Sequence, residues 1–423
     1  MSFETISVIG LGYIGLPTAA MFASRKKKVI GIDVNQHAVD TINQGKIHIV
    51  EPDLDMIVSA AVTEGYLKAS TTPESADAFL IAVPTPFLPC EEGEVPAPDL
   101  SYIEAASKAI APVLKKGDLV ILESTSPVGA TEQMAAWLAQ ARSDLTFPQT
   151  HGDNADVNVA HCPERVLPGH VVRELVENDR VIGGMSTRCS ERSVELYKTF
   201  VLGECVVTNA RTAEMAKLTE NSSRDVQIAF ANELSIICDK LDINVWELIA
   251  LANRHPRVNI LQPGPGVGGH CIAVDPWFIV SKTPEEAQII QTARKVNDGK
   301  PEWVINKVKL AIAEFLQANP DKTAREVTVA CYGLAFKPDI DDLRESPAMA
   351  ITQKIAEMHA GRVIAVEPNI ESIPEKLKHV ELIEFDIAEK EADVQVLLVD
   401  HKEFKEFSPS HGSTIDTKGT WRN

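Results

Sequence analysis

The 423-residue sequence holds no apolar run of 18 residues, so no membrane-spanning helix is expected. It holds no C-x-x-C pair, and its seven cysteines are scattered and odd in number. That pattern argues against a disulfide framework and against a zinc site, gives no reason to expect a metal, and suits a reducing cytoplasm. Basic residues are in deficit: 41 Lys and Arg stand against 60 Asp and Glu, a formal net charge of −19. Such a chain repels nucleic acid and anionic membranes, so neither is expected as a partner. An anionic substrate would need basic side chains gathered locally. Tandem repeats and low-complexity tracts are lacking too. Met1-Ser2-Phe3-Glu4 runs straight into a β-rich stretch, leaving no room for a signal peptide, and a cytoplasmic location is expected. What the chain does have is 44% hydrophobic residues, ample for globular cores, and a length that fits two to three domains.

Thr5-Ile6-Ser7-Val8-Ile9 reads as a strand and leads into Gly10-Leu11-Gly12-Tyr13-Ile14-Gly15. A helical stretch from Leu16 to Ala23 follows, then a second strand from Val29 to Ile32, ending at Asp33. A bare G-x-G-x-x-G is a weak signal; strand, glycines, helix, strand and acid in this order is a strong one for dinucleotide binding. Gly10 permits the tight turn, Gly12 lets the backbone meet a pyrophosphate, and Gly15 allows the helix to close on the strand. Tyr13 and Ile14 sit inside the same turn. The helix N-terminus offers free N–H groups to the phosphates. Asp33 suits ribose hydroxyls and repels a 2′-phosphate, so NAD is favoured over NADP. The competing reading is a glycine turn that binds nothing.

Phe79 to Val83 and Leu119 to Glu123 read as buried parallel strands, almost continuously apolar. Ligands bind open α/β sheets beyond the carboxyl ends of their strands, which places Thr85 and Ser126 toward the cofactor. Either hydroxyl could instead cap a helix. Thr212 to Lys240 lacks Pro and Gly and reads as one long helix of roughly 40 Å. Lys217, Asn221 and Arg224 share one of its faces, either as a functional row or as a solvated stripe. From Arg325 onward the α/β theme returns without the glycine fingerprint. Strands are expected at Val327 to Gly333, Arg362 to Pro368 and Val394 to Asp400, with a helix from Ser346 to His359. The fold class is therefore α/β, two Rossmann-like doubly wound domains joined by a long central helix. The expected domains are residues 1–205, 206–320 and 321–423.

Between these domains stands Pro263-Gly264-Pro265-Gly266-Val267-Gly268-Gly269-His270-Cys271-Ile272-Ala273-Val274-Asp275. Glycines let a backbone approach a ligand closely. Cys271 and Asp275 would share a face if the segment coils, and a thiol so placed is a candidate nucleophile. The alternative is a buried, inert cysteine. Cys162, beside His161, is a rival nucleophile, although neighbours in an extended chain point opposite ways. Cys90, Cys189, Cys205, Cys238 and Cys331 read as packing residues. His270 reads as a loop histidine that contacts substrate.

Together these pieces resemble the UDP-glucose/GDP-mannose dehydrogenase family over essentially the whole chain. The resemblance runs through Gly10 to Gly15, Val83-Pro84-Thr85-Pro86, Glu123 to Gly129 and Pro163-Glu164-Arg165. It continues through Ala216 to Asn221, Gly268 to Asp275, Gly333-Leu334-Ala335-Phe336-Lys337-Pro338 and Asp342 to Pro347. Ala273 departs from the proline that many members carry there. The resemblance implies a four-electron oxidation of a sugar C6 alcohol to a carboxylate with two NAD. Cys271 would capture the intermediate aldehyde and so needs thiolate character, with a pKa below the free value of about 8.5. Lys217 and Asn221 would hold oxyanions, and Glu164 or Asp275 would activate the hydrolytic water. Arg344 joins the cofactor-binding set. Arg165, Val166, Arg224, His255, Arg257, Gly268, Phe336 and Lys337 join Lys217 and Asn221 as substrate-binding residues. The Arg254-to-Asn259 and Pro263-to-Cys271 segments resemble the branch acting on UDP-N-acetylhexosamines. UDP-N-acetyl-D-mannosamine is expected ahead of its C2 epimer UDP-N-acetylglucosamine, with a product for bacterial surface polysaccharides such as the common antigen. A homodimer is implied, with Arg257 reaching across it. Two other classes stay in view: a two-electron hydroxyacid-type dehydrogenase that needs no thiol, and an NAD-sensing protein that does no chemistry.

Overall fold

The computed structural model describes residues 3–421 apart from 50, 92, 168, 270, 406 and 408, so His270 lies outside the described residues. The chain forms two compact units. One is Met1–Glu220 with Ser281–Thr283; the other is Asn221–Val280 with Pro284–Asn423.

In the first unit the strands are β1 Thr5–Ile9, β2 Lys28–Ile32, β3 Leu67–Ser70, β4 Ala78–Ile81, β5 Leu119–Leu122, β6 Asn158–His161, β7 Arg180–Gly184 and β8 Cys205–Asn209. They make one sheet in the order β3-β2-β1-β4-β5-β6-β7-β8, with β6 and β7 antiparallel and the other pairs parallel. Alternate residues point to opposite faces. Ile6, Val8, Leu80 and Ile121 enter one core, and Ile9, Phe79, Ile81 and Val120 enter the other. Both faces are covered at β1, β4 and β5, which is why these three read as nearly unbroken apolar runs. The helix Gly15–Ser24 follows β1 and is buried from Gly15 to Ala23.

In the second unit β9 Val329–Tyr332, β10 Val363–Val366, β11 Glu381–Leu382, β12 Val394–Leu397 and β13 Ser413–Asp416 form a fully parallel sheet. Its order, β11-β10-β9-β12-β13, repeats the β3-β2-β1-β4-β5 order of the first sheet. Val304, Ile305, Val308 and Ala311 of the 31-residue helix Gln288–Ala318 share a core with Val329 and Cys331. The helix Pro347–Met358 starts where Ser346 Oγ accepts the Met349 N–H at 3.2 Å.

The helix Ala210–Lys240 has 31 residues and spans about 46 Å. It begins in the first unit and ends in the second. It starts two residues ahead of the expected Thr212 because Asn209, the last residue of β8, accepts the Thr212 N–H at 2.9 Å. Within the first unit its Glu214 is 1% exposed. That carboxylate accepts Gly129 N–H at 2.7 Å, Thr131 N–H at 2.8 Å and the Thr131 hydroxyl at 2.6 Å.

Candidate functional site

The glycine turn follows β1 at the switch point, where β2 and β4 lie on opposite sides of β1. Gly10 sits at φ +89°, and a Cβ there would lie 2.5 Å from Ala82 O. A Cβ on Gly15 would lie 1.8 Å from Gly10 O, so only glycine lets the helix close on the turn. A Cβ on Gly12 would meet nothing within 4 Å. Tyr13 is half-buried, and Ile14 is the residue from which the helix starts. Asp33 Oδ2 accepts the Leu11 N–H at 2.8 Å and Oδ1 the Asn35 N–H at 2.9 Å, which holds the carboxylate against the turn. Thr85 is 5% exposed, and its hydroxyl has no hydrogen-bond partner among the described residues. Ser126 Oγ donates to Ser124 O at 2.7 Å. Neither hydroxyl caps a helix: the helix Ala130–Ala141 starts from Gly129 without a side-chain cap. The residues fit a dinucleotide. There is open space over Gly12, and the buried Thr85 hydroxyl is unspent. From Asp33 to Gly45 no lysine or arginine is present to receive a 2′-phosphate.

Still in the first unit, Lys217 Nζ donates to Glu164 Oε1 at 3.1 Å, and both residues are 6% exposed. The first member of the helix stripe is thus a buried, paired ammonium and not a solvated one. Glu164 Oε2 also accepts the Val166 N–H at 3.0 Å, and Val166 packs against the core. Arg165 is ion-paired with Glu220 at 2.7 Å. The Cys162–His161 alternative fails. Both are fully buried. Burial pushes the Cys162 thiol up to about 12. Burial, with Arg180 nearby adding to it, brings His161 down to about 3. Neither thiolate nor imidazolium is available there.

In the second unit Asn221 Nδ2 donates to Asp275 Oδ2 at 2.5 Å, and Asp275 is 3% exposed. Asp275 opens the helix Asp275–Lys282. Its N–H bonds to the Cys271 carbonyl at 2.9 Å, and the Val274 N–H bonds to the same carbonyl at 3.1 Å. The segment therefore coils, with exposed Cys271 one turn ahead of Asp275. The inert buried reading of Cys271 does not hold. The two glycines nearest it in the run are crowded by protein. A Cβ on Gly268 would lie 2.7 Å from Glu345 O and 2.8 Å from Phe336 Cβ, and one on Gly269, at φ +79°, 3.1 Å from the Phe336 ring. Among the expected packing cysteines, Cys189, Cys238 and Cys331 are buried and Cys205 is partly so. Cys90, expected to pack, instead lies exposed in the loop after β4.

Of the basic residues expected at a diphosphate, Arg224, His255, Arg257 and Lys337 are exposed. Arg344 is held by Asp342 at 2.6 Å. The sequence reading missed three groups. Glu51 accepts Gly169 N–H at 2.9 Å and Val171 N–H at 2.8 Å, fixing the loop that carries Glu164. Arg180 pairs with Glu123, the residue before Ser124, and lies 4.1 Å over the Tyr197 ring. His48 sits beside Asp33, and burial lowers its pKa. Only Arg180 and Glu123, charges next to apolar strands, gave a signal that could have been read.

Residues 4–201, 211–299 and 330–423 match the NAD binding, central and UDP binding domains of the UDP-glucose/GDP-mannose dehydrogenase family. The chain is 68% identical to a UDP-N-acetyl-D-mannosamine dehydrogenase of Yersinia pestis, with all of both chains covered. It is 62% identical to an NDP-N-acetyl-D-galactosaminuronic acid dehydrogenase of Ralstonia nicotianae, covering 100% of this chain and 97% of that protein. Among solved structures, the UDP-N-acetyl-mannosamine dehydrogenase from S. aureus superposes with a TM-score of 0.83 at 43% identity, covering 99% of this chain and 96% of that one.

Proposed function

This chain belongs to the UDP-glucose/GDP-mannose dehydrogenase family, and on that premise we propose that it oxidises C6 of UDP-N-acetyl-D-mannosamine from alcohol to carboxylate. The product is UDP-N-acetyl-D-mannosaminuronate, for surface polysaccharides such as the common antigen. The observation that carries the chemistry is an exposed Cys271 one turn ahead of a buried Asp275 whose carboxylate is held by Asn221. The relatives named for UDP-N-acetyl-D-mannosamine support the sugar.

Bound NAD supplies the hydride acceptor for both oxidations. The chain's own groups do the rest. In the first oxidation the alcohol gives its proton to a water or side chain near Lys217 and Asn221. These two residues stand one helical turn apart, and their N–H donors stabilise the C6 oxygen as it gains charge. The Cys271 thiolate then adds to the aldehyde carbon: a C–S bond forms and the carbonyl pair moves to oxygen. The thiohemiacetal keeps its C–H, so a second hydride can leave, giving the thioester. Water adds to that carbonyl with Glu164 or Asp275 taking its proton; the C–S bond breaks and the carboxylate departs. Covalent capture keeps the aldehyde from escaping between the two steps.

We assign cofactor binding to residues 1–205, the thiol loop and dimerisation to 206–320 and the UDP moiety to 321–423. Exposed Lys337, Arg224 and His255 are the phosphate partners. The exposed apolar side chains of Phe230 and Ile237 on the long helix, with Leu241 and Leu251 beyond it, support a homodimer in which Arg257 serves the neighbouring subunit. The cytoplasm, where Cys271 stays reduced, is the working compartment.

The test is NADH formed per sugar consumed, with UDP-N-acetylmannosamine, UDP-N-acetylglucosamine and UDP-glucose run in parallel. Two NADH with the first sugar alone is the expected result; one NADH would sink the thioester route. Cys271→Ser should abolish turnover. The alkylation rate of Cys271 should rise with pH to a midpoint below about 8.5.

A further inference from the structure

The loop that carries Cys271 is tied at both ends to one buried chain of side chains. At its start, the Gly264 N–H donates to Asn232 Oδ1 at 2.9 Å. Asn232 Nδ2 donates to Asn297 Oδ1 at 2.9 Å. Asn297 Nδ2 donates to Asp225, at 2.8 Å to Oδ1 and 3.1 Å to the carbonyl. Arg294 Nη1 donates to the same Asp225 Oδ1 at 2.6 Å and reaches the carbonyl of Ile272, the residue after Cys271, at 3.5 Å. Its Nη2 is paired with Asp298. None of Asp225, Asn232, Arg294 and Asn297 is more than 1% exposed.

The relay has a direction. Each amide must present oxygen toward Gly264 and NH2 toward Asp225, since a flipped Asn232 would set its NH2 against the Gly264 N–H. Asp225 and Asn232 stand seven residues apart on the helix Ala210–Lys240, and Arg294 and Asn297 three apart on Gln288–Ala318. Both spacings put the pair on one helix face. A buried ion pair is at best a weak source of stability against apolar side chains of similar volume, so packing these two helices does not call for it. Fixing the loop does. Between these ties the loop is also held by contact: a Cβ on Gly266 would lie 3.0 Å from Pro347 Cβ and 3.2 Å from Pro301 Cγ.

We propose that Asp225, Asn232, Arg294 and Asn297 are positioning residues for Cys271, holding both ends of its loop so that the thiol meets the aldehyde carbon at one place. The proposal rests on the thiol chemistry above. It is tested in the full-length protein with Asn232→Ala, Asn297→Ala and their double variant, and with Asn232→Ser as the milder change should the alanine variants not fold. The readouts are Tm, kcat, the KM for NAD, and the pH midpoint of Cys271 alkylation followed by peptide mass. A misplaced nucleophile should lower kcat about a hundredfold. The KM for NAD should stay within about twofold, and the alkylation midpoint should rise toward the free-thiol value of about 8.5. The double variant should be no slower than the slower single one, because one relay is cut either way. Folded variants with wild-type kcat and alkylation would overturn the proposal, whatever their Tm. Cys271→Ala separates the two readings: full two-NADH turnover in that variant sinks the thiol chemistry itself. Its loss, beside unaffected relay variants, sinks only the relay.

Discussion

Two glycine turns, one in each unit, solve the same backbone problem and reach opposite ends. Gly10 follows β1 at φ +89° with its N–H on Ile32 O at 2.8 Å; Gly333 follows β9 at φ +91° with its N–H on Val366 O at 2.8 Å. In each an acid at the end of the next strand reaches back to the turn. Asp33 takes Leu11 N–H, and Glu367 takes Leu334 N–H at 2.7 Å and Ala335 N–H at 3.0 Å. There the likeness stops. Asp33 is half-exposed, and a helix starts at Gly15, directly behind its turn. Glu367 is 4% exposed and also bound to fully buried His401 at 3.0 Å. His401 Nδ1 accepts the Asp339 N–H at 2.9 Å, so Nε2 carries the proton that goes to Glu367. No helix follows until Pro347. The first turn keeps its acid and Gly12 within reach of solvent; the second uses its acid to fasten itself. Shared topology does not confer shared ligand chemistry; what else satisfies the acid decides.

The comparison can be broken most severely at the glycines that close each turn. Gly15→Ala should cost more than about 3 kcal/mol, because the new methyl has no space beside Gly10 O. Gly333→Ala should be comparably damaging, since its Cβ would lie 2.4 Å from Val399 Cβ. Thermal melts followed by circular dichroism read both, and a wild-type Tm for either would refute the close-packed turn. Glu367→Gln comes next, costing about 2 kcal/mol by leaving buried groups poorly matched while sparing the KM for NAD. Burial works to raise the Glu367 pKa, but His401 and the two amides together outweigh it and hold it below the ordinary glutamate value of 4.5. Its stabilisation is therefore present above about pH 4.5 and lost as pH falls through the lower folded value. The Gln variant should lose that part of the acid dependence of Tm. Gly12→Ala should leave stability within about 0.5 kcal/mol and raise the KM for NAD about tenfold, the signature of a turn that faces a ligand. The smallest effect is expected at Asp33→Asn: a preference for NAD over NADP weakened about threefold, measured as a ratio of kcat/KM values.

Much of this was legible in the sequence. The strands β1, β2, β4, β5, β9, β10 and β12 are apolar on both faces and announce themselves. The unread ones are short and polar, such as Leu67–Ser70 and Ser413–Asp416, or rich in glycine like Arg180–Gly184. They are strands only because a neighbour pairs with them. At the candidate site the glycine turn and Cys271 carry local patterns. The partners do not: Glu51 meets Gly169 118 residues away, and Asn232 meets Asn297 across 65. Such pairs are fixed by tertiary packing. Beside Arg180 and Glu123, a second local hint was Asp225 and Asn232 on a helix face shared with buried Ser222 and Ala229.

Glu214 has a consequence for dissection of the chain. The turn after β5 depends for three of its hydrogen bonds on a residue that comes after the whole sheet is complete. A fragment ending at residue 205 would leave the amides of Gly129 and Thr131 without their acceptor, although every strand but the last would be whole. The cooperative piece of this half therefore takes in the opening turns of the long helix and does not close with the last strand.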